Sequence, residues 1–204
     1  MWLDNAGTAE ELAAAARQLW RERIMPFAHN VQAREAAPVA PRLVPSDPSW
    51  PEQARRILAR LRTTCGHHAI RIDHIGSTAV PGLAAKDVID VQVTVPSLVV
   101  ADDLADALLA SGYPRIDDVT GDVSHGDDPA LWDKRLHASA DPGRPTNVHL
   151  RVDGSPGQQF ALLFVDWLKA NPDVQDEYAD AKEPWLVDAY RRAWAWAEEA
   201  GWRP

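Results

Sequence analysis

Cys65 is the only cysteine in the chain, so neither an intrachain disulfide nor a cysteine-based zinc site can form within it. The sequence also lacks the Gly-x-x-x-x-Gly-Lys-[Ser/Thr] loop that holds nucleoside triphosphates, the Gly-x-Ser-x-Gly elbow of serine hydrolases and the His-Glu-x-x-His pair of zinc proteases. P-loop kinase chemistry is thereby excluded for these residues. No apolar run approaches the roughly 20 residues that span a bilayer, and the first residues lack the charged, then apolar, then small-residue layout of a secretory signal. The expected location is cytoplasmic, without membrane contact. Positive charge is scarce: 21 Lys and Arg against 30 Asp and Glu give a net charge of −9. Nucleic-acid binding is disfavoured by that balance and by the lack of a basic, aromatic stripe. An anionic ligand would have to be held in a local basic pocket.

The 204 residues suffice for one substantial domain plus an appendage. An extended segment at 1–4 and a turn at 5–7 precede Thr8, which with Glu11 three residues on forms a capping box ahead of an Ala-rich helix through about Ile24. On that helix Leu12, Ala16, Leu19, Trp20 and Arg23 fall near one face. A lone strand and helix cannot bury both faces, so residues 1–35 must pack on something else. Residues 36–51 are rich in Pro and Ala and suit an extended linker, with a short edge strand able to begin at 42. An amphipathic helix is expected over 52–64, with Ala54, Ile57, Leu58 and Leu61 inward. Strands are expected over 69–75, 88–95, 131–138 and 146–153, and helices over 101–111, 158–170 and from 174 onward, where Trp185, Trp194, Trp196 and Trp202 supply packing surface. Residues 113–129 read as irregular and acidic.

The richest stretch joins the turn Gly76-Ser77-Thr78 to the strand carrying Asp90. Glycine lets backbone N–H groups approach an anion closely, so the turn suits a phosphate cradle, as it also suits an ordinary connection. Asp90 sits in a Val/Ile-rich strand, where a carboxylate is costly to bury without a partner or a metal. Alternation puts Val91, Val93 and Val95 on one face and Asp90, Gln92 and Thr94 on the other. Twelve residues separate Ser77 from Asp90, a spacing that fits a nucleotidyltransferase site. Such a site uses two acids at i and i+2 for divalent metal, and here the second position is Gln92. Two later strands carry Lys134, Arg135 and His137, then His149 and Arg151. Arg135 and His137 share one face, as do His149 and Arg151, so both pairs could converge on a phosphate or pair with nearby acids. His74 could bond a phosphate or cap the turn. His67 and His68 read as a surface pair.

The string HIGSTAVPGLAAK from His74 to Lys86, Ile89-Asp90-Val91, Leu131-Trp132, the run from Lys134 to His137, NVHLR from Asn147 to Arg151 and FVDWL from Phe164 to Leu168 resemble the GrpB family. The resemblance covers about 42–204 and implies an α+β, nucleotidyltransferase-like mixed sheet flanked by helices. It carries the fold more firmly than any reaction. Residues 1–35 are similar to the last strand, turn and C-terminal helix of bacterial dephospho-CoA kinases, and in actinobacteria a GrpB-like domain follows that kinase on one chain. The resemblance therefore implies three parts: a kinase-like strand and helix at 1–35, a linker at 36–51 and a GrpB domain at 52–204. It departs from the family after Asp180, where a longer charged helix is usual.

Two functions follow as expectations. One is a noncatalytic domain serving a dephospho-CoA kinase, in cis or in trans, in coenzyme A biosynthesis, and holding a nucleotide or CoA-like anion through His74, Gly76, Ser77, Thr78, Lys86, Gln92, Lys134, Arg135, His137, His149 and Arg151. The other is a metal-dependent nucleotidyl- or phosphoryl-transferase with Mg²⁺ on Asp90 as the catalytic carboxylate.

Overall fold

A computed structural model of the chain describes residues 6–40, 42–125, 128–179 and 183–204. The extended segment expected at 1–4 lies outside them, as does part of the shortened stretch after Asp180.

Helix α1 (Ala9–Leu19) starts as the sequence predicts: the Thr8 hydroxyl accepts from the Glu11 amide and the Glu11 carboxylate accepts from the Thr8 amide. It does not stop near Ile24. A π-helical turn (Trp20–Ile24) carries it into α2 (Met25–Ala33), whose second residue, Pro26, has no N–H to donate back into the preceding turn. This helical rod buries none of its residues fully. It is tied to the rest of the chain by Arg23, whose Nε and Nη2 donate to Asp141 at 2.8 and 2.6 Å, and by Asn30, which donates to the Ala140 carbonyl at 2.9 Å. The proline-rich stretch is docked as well. The Ala37 amide bonds the Ser139 carbonyl at 2.9 Å, and β1 (Leu43–Val44) pairs antiparallel with β3 (Ala85–Lys86).

Helix α3 (Trp50–Cys65) buries Trp50, Ala54, Ile57, Leu61 and Cys65, positions spaced for one helix face. The main sheet runs β2-β4-β6-β5, made of β2 (Arg71–Ile75), β4 (Ile89–Val95), β6 (Thr146–Val152) and β5 (Lys134–Ala138). The β4–β6 pair is parallel and the other two pairs are antiparallel. Short helices α4 (Leu98–Asp103), capped by Ser97, and α5 (Ala105–Ala110) cross over from β4. On the C-terminal side lie α6 (Pro156–Ala170), capped by Ser155, then α7 (Pro172–Ala179) and α8 (Glu183–Ala200).

The sheet separates two cores. Val91, Val93 and Val95 face α3 and α5 with Ile72, Val148 and Leu150. Ile75, Val80 and Leu83 pack with Leu163, Trp167 and Leu168 of α6 and Ala189 and Ala193 of α8. The central strand β4 is thus covered on both sides, and its polar residues point toward α6. The fold is a mixed sheet flanked by helices, as expected, and no described helix is long and apolar enough to cross a membrane.

Cys65 lies at the end of α3 with 1% of its surface exposed, and burial pushes its thiol up to about 11. The thiolate, the reactive form, is therefore scarce at neutral pH. An aromatic disulfide reagent should leave Cys65 unlabelled in the native protein and label it only as denaturant unfolds the chain; rapid native labelling would contradict this packing.

Candidate functional site

The α6-facing side of the sheet collects the polar residues of three strands. Register places Asp90 opposite Asn147, Gln92 opposite His149, and Arg151 between Thr94 and Lys134. Asn147 Nδ2 donates to Asp90 Oδ1 at 2.8 Å, and His149 Nε2 lies 3.4 Å from the same oxygen. Gln92 is fully buried and both ends of its amide are engaged. Its oxygen accepts from Arg151 Nη1 at 2.9 Å, and its nitrogen donates to the Gln158 carbonyl at 3.2 Å.

The organising residue is Asp122, from the segment that reads as irregular in the sequence. Its carboxylate accepts from Arg151 Nε at 2.7 Å and from Arg151 Nη2 at 3.0 Å, and it pairs with the ammonium of Lys134. Two backbone bonds set it there: the Asp122 amide reaches the Trp132 carbonyl at 2.9 Å, and the Lys134 amide reaches the Thr120 carbonyl at 2.8 Å. Gly157 lets the first turn of α6 close over it, since a Cβ there would stand 2.9 Å from Asp122 Oδ2. Burial would raise the Asp122 pKa, but the hydrogen bonds and charge of Arg151, with the charge of Lys134, outweigh it and hold the carboxyl well below its usual range. Lys134 is pushed down by burial and by Arg151, against the pull of Asp122.

Burial favours the neutral form of the two histidines on this face, His149 and His74. Burial lowers His149 most, with Arg151 and Lys134 adding to the shift against the pull of Asp90. Its Nδ1 lies 3.3 Å from Lys134 Nζ and 3.5 Å from Arg151 Nη2, both obligate donors, so Nδ1 accepts and Nε2 carries the proton toward Asp90. His74 is pushed down to about 4 by burial. Its Nε2 meets the Thr78 hydroxyl at 3.0 Å, and that hydroxyl donates to the Val88 carbonyl at 3.2 Å.

Several expected members of the site are elsewhere. Arg135 and His137 do not join His149 and Arg151, because register puts Lys134 and Leu136 on the α6 side and turns the alternate residues away. Arg135 forks onto Asp102 at 2.7 and 3.1 Å. His137 is buried with Nδ1 2.9 Å from the Tyr113 carbonyl, and burial lowers its pKa. Lys86 is exposed on β3, paired with Leu43. The amides of Ala79 and Val80 already bond within the Ser77–Ala79 turn, at 3.1 Å each. Asp87 receives Trp50 Nε1 at 2.8 Å and Arg144 at 2.6 Å on the α3 side.

Beside Asp90, Asp122, His149 and Arg151 opens a cleft of about 290 Å³ with an aromatic wall that includes His125, Trp132 and Phe160. His125 stacks on Tyr190 of α8, ring centroids 4.4 Å apart and 8° from parallel. The sequence reading missed Asp122, Asn147 and this wall. A lysine and an arginine on one buried sheet face require a carboxylate, and that was the available signal for Asp122.

The donor set does not suit Mg²⁺. That ion favours carboxylates and phosphate oxygens in near-octahedral geometry, whereas the second position here offers an amide oxygen already bonded to a guanidinium. Among the described residues no three His, Cys, Asp or Glu side chains converge to hold a metal.

Residues 40–196 match the family model described as GrpB protein. A relative from Mycolicibacterium paratuberculosis, named dephospho-CoA kinase, is 55% identical over 237 residues, covering 100% of this chain and 58% of its own length. The Mycobacterium tuberculosis protein of the same name is 56% identical with the same coverage. The chain spans about 58% of the length of these curated relatives, and the 237 matched positions exceed its 204 residues, so the relatives carry residues it lacks. A UPF0157 protein from Halalkalibacterium halodurans is 31% identical over 156 residues, 76% of this chain and 74% of its own. The crystal structure of conserved protein GrpB from Enterococcus faecalis superimposes with a TM-score of 0.60 at 23% identity, covering 79% of this chain and 100% of that one.

Proposed function

We propose that this chain, which belongs to the GrpB family, acts as a noncatalytic domain of a dephospho-CoA kinase polypeptide, supporting the folding or regulation of the kinase. The relatives that match the whole chain bear that kinase's name and extend well beyond it, and no ATP-holding P-loop occurs in these residues. The three parts of the chain then divide as a kinase-like tail at 1–35, a connecting stretch at 36–51 and the GrpB domain at 52–204, in a cytoplasmic protein.

The Arg151–Gln92 contact carries the noncatalytic part of the reading. Where a transferase would offer a second carboxylate to metal, this chain holds a neutral amide clamped to a fixed cation at 2.9 Å. Around it, Asp90 and Asp122 balance Lys134 and Arg151, with His149 neutral, so the site has no surplus positive charge for a phosphate. Its aromatic cleft suits the planar part of a nucleotide or CoA-like ligand better than its phosphates.

Incubation with labelled nucleoside triphosphates and Mg²⁺ or Mn²⁺ should give no transfer above the buffer control. Turnover that disappears in Asp90→Asn would overturn this reading and establish the transferase alternative. Coexpression should raise the soluble yield or activity of the kinase portion; no change in either would remove the accessory role.

A further inference from the structure

The arginine excess that the sheet site lacks occurs on the other side of the molecule. A cleft of about 480 Å³ opens between the helical rod, α3 and the turn before β6, and Arg23, Arg56, Arg60 and Arg144 line it against Glu52 and Asp141. In a chain of net charge −9 this is a local reversal of sign. The four guanidinium groups are not equally committed. Arg23 is forked onto Asp141 and Arg144 is held by Asp87 and Gln53 at 2.6 Å each. Arg56 has an exposed pair with Glu52 at 3.1 Å, which Glu52 shares with Arg55. Arg60, one helical turn from Arg56, has the Tyr113 hydroxyl and Asp141 as electrostatic neighbours but no carboxylate within salt-bridge distance among the described residues.

We infer that this cleft binds a phosphate-bearing anion, gripped by Arg60 and Arg56 of α3 and closed by the Arg23 side of the helical rod. Guanidinium forks match phosphate oxygens in pairs, and an arginine with no carboxylate in salt-bridge distance breaks no direct ion pair to accept one. Arg144, pinned by Asp87 and Gln53, fixes the rim of the cleft without having to move. Because Arg23 belongs to the rod and the other arginines to the body, an occupant would also tighten the docking of the rod. This site is separate from the aromatic cleft, so it stands or falls independently of the function proposed above.

Calorimetry of the full chain with inorganic pyrophosphate tests the inference. Saturable binding should weaken as salt is added. It should fall by about tenfold or more in the double variant Arg56→Ala/Arg60→Ala, the loss expected of charge-assisted hydrogen bonds, and lie between the two in Arg60→Lys, which keeps the charge and loses the fork. His149→Gln, in the other cleft, should leave the affinity unchanged. Both arginines are exposed, so the double variant should melt with the parent protein. Amide exchange in α2 should slow when pyrophosphate is bound. Failure of the parent chain to bind pyrophosphate, equal binding by the double variant, or loss of binding in His149→Gln would each overturn the assignment. Unchanged exchange in α2 would overturn the coupling to the rod.

Discussion

Asp122→Ala should destabilise the protein by about 3–5 kcal/mol, the range for removing one partner of a buried ion pair. The side chains of Lys134 and Arg151 are only 7% and 8% exposed, and Asp122 is the carboxylate both of them contact. Its removal leaves two positive charges side by side without an anion between them. Lys134, already pushed down by burial and by Arg151, loses the main group that favours its charged form and keeps only the weaker pull of Asp90. Arginine has no such escape, because it stays protonated, and the Gln92 oxygen at 2.9 Å becomes its main buried partner. Asp122→Asn should cost less, since an amide oxygen can still accept one of the arginine hydrogens. Denaturant unfolding at neutral pH measures both variants, and an alanine variant within about 0.5 kcal/mol of the parent would refute the account.

The same network fixes a pH dependence. The folded-state pKa of Asp122 is depressed, so its contribution is fully present above the unfolded carboxyl value of about 3.9 and is lost as pH falls through the lower folded value. The stability gap between the parent chain and Asp122→Ala should therefore be constant from neutral pH to about pH 5 and shrink only in stronger acid. A gap that closed already near pH 6 would point to a histidine instead.

What the sequence displayed and what it hid divide along the range of the interactions involved. The Thr8–Glu11 capping box spans three residues and is read directly. The facing of Val91, Val93 and Val95 against Asp90, Gln92 and Thr94 follows from alternation within one strand, and α3 follows from its apolar spacing. The face chosen by β5 does not. The run from Lys134 to His137 has a cation on both parities, so alternation cannot decide which set turns toward α6; the pairing of Leu136 with His149 decides it. Asp122 was hidden for a related reason. It lies in an irregular segment whose position depends on two backbone bonds to residues near the start of β5, and nothing local in 113–129 marks one acid above its neighbours. The aromatic wall needs α8 folded back so that Tyr190 meets His125, a contact between residues far apart in sequence.

Gly76 is where a local reading and a tertiary one give different reasons for the same residue. As part of a phosphate cradle, glycine would serve an incoming anion. In the fold it serves the carboxylate already present: Gly76 has φ 71° and ψ −173°, a region essentially restricted to glycine, and a Cβ there would stand 2.8 Å from Asp90 Oδ2 and 3.0 Å from Asp90 Cβ. Gly76→Ala should thus combine backbone strain of about 1–3 kcal/mol with an overpacking cost of similar size, for a loss on the order of 3 kcal/mol. The two parts separate in a double-mutant cycle. In an Asp90→Ala background the carboxylate clash is gone while the contact with the residue-90 Cβ and the dihedral strain remain, so Gly76→Ala should cost less there by about 1 kcal/mol. Equal costs in both backgrounds would leave the carboxylate no part in the effect and assign it to the backbone and the residue-90 Cβ, and a negligible cost in the parent chain would remove the close approach of the turn to Asp90.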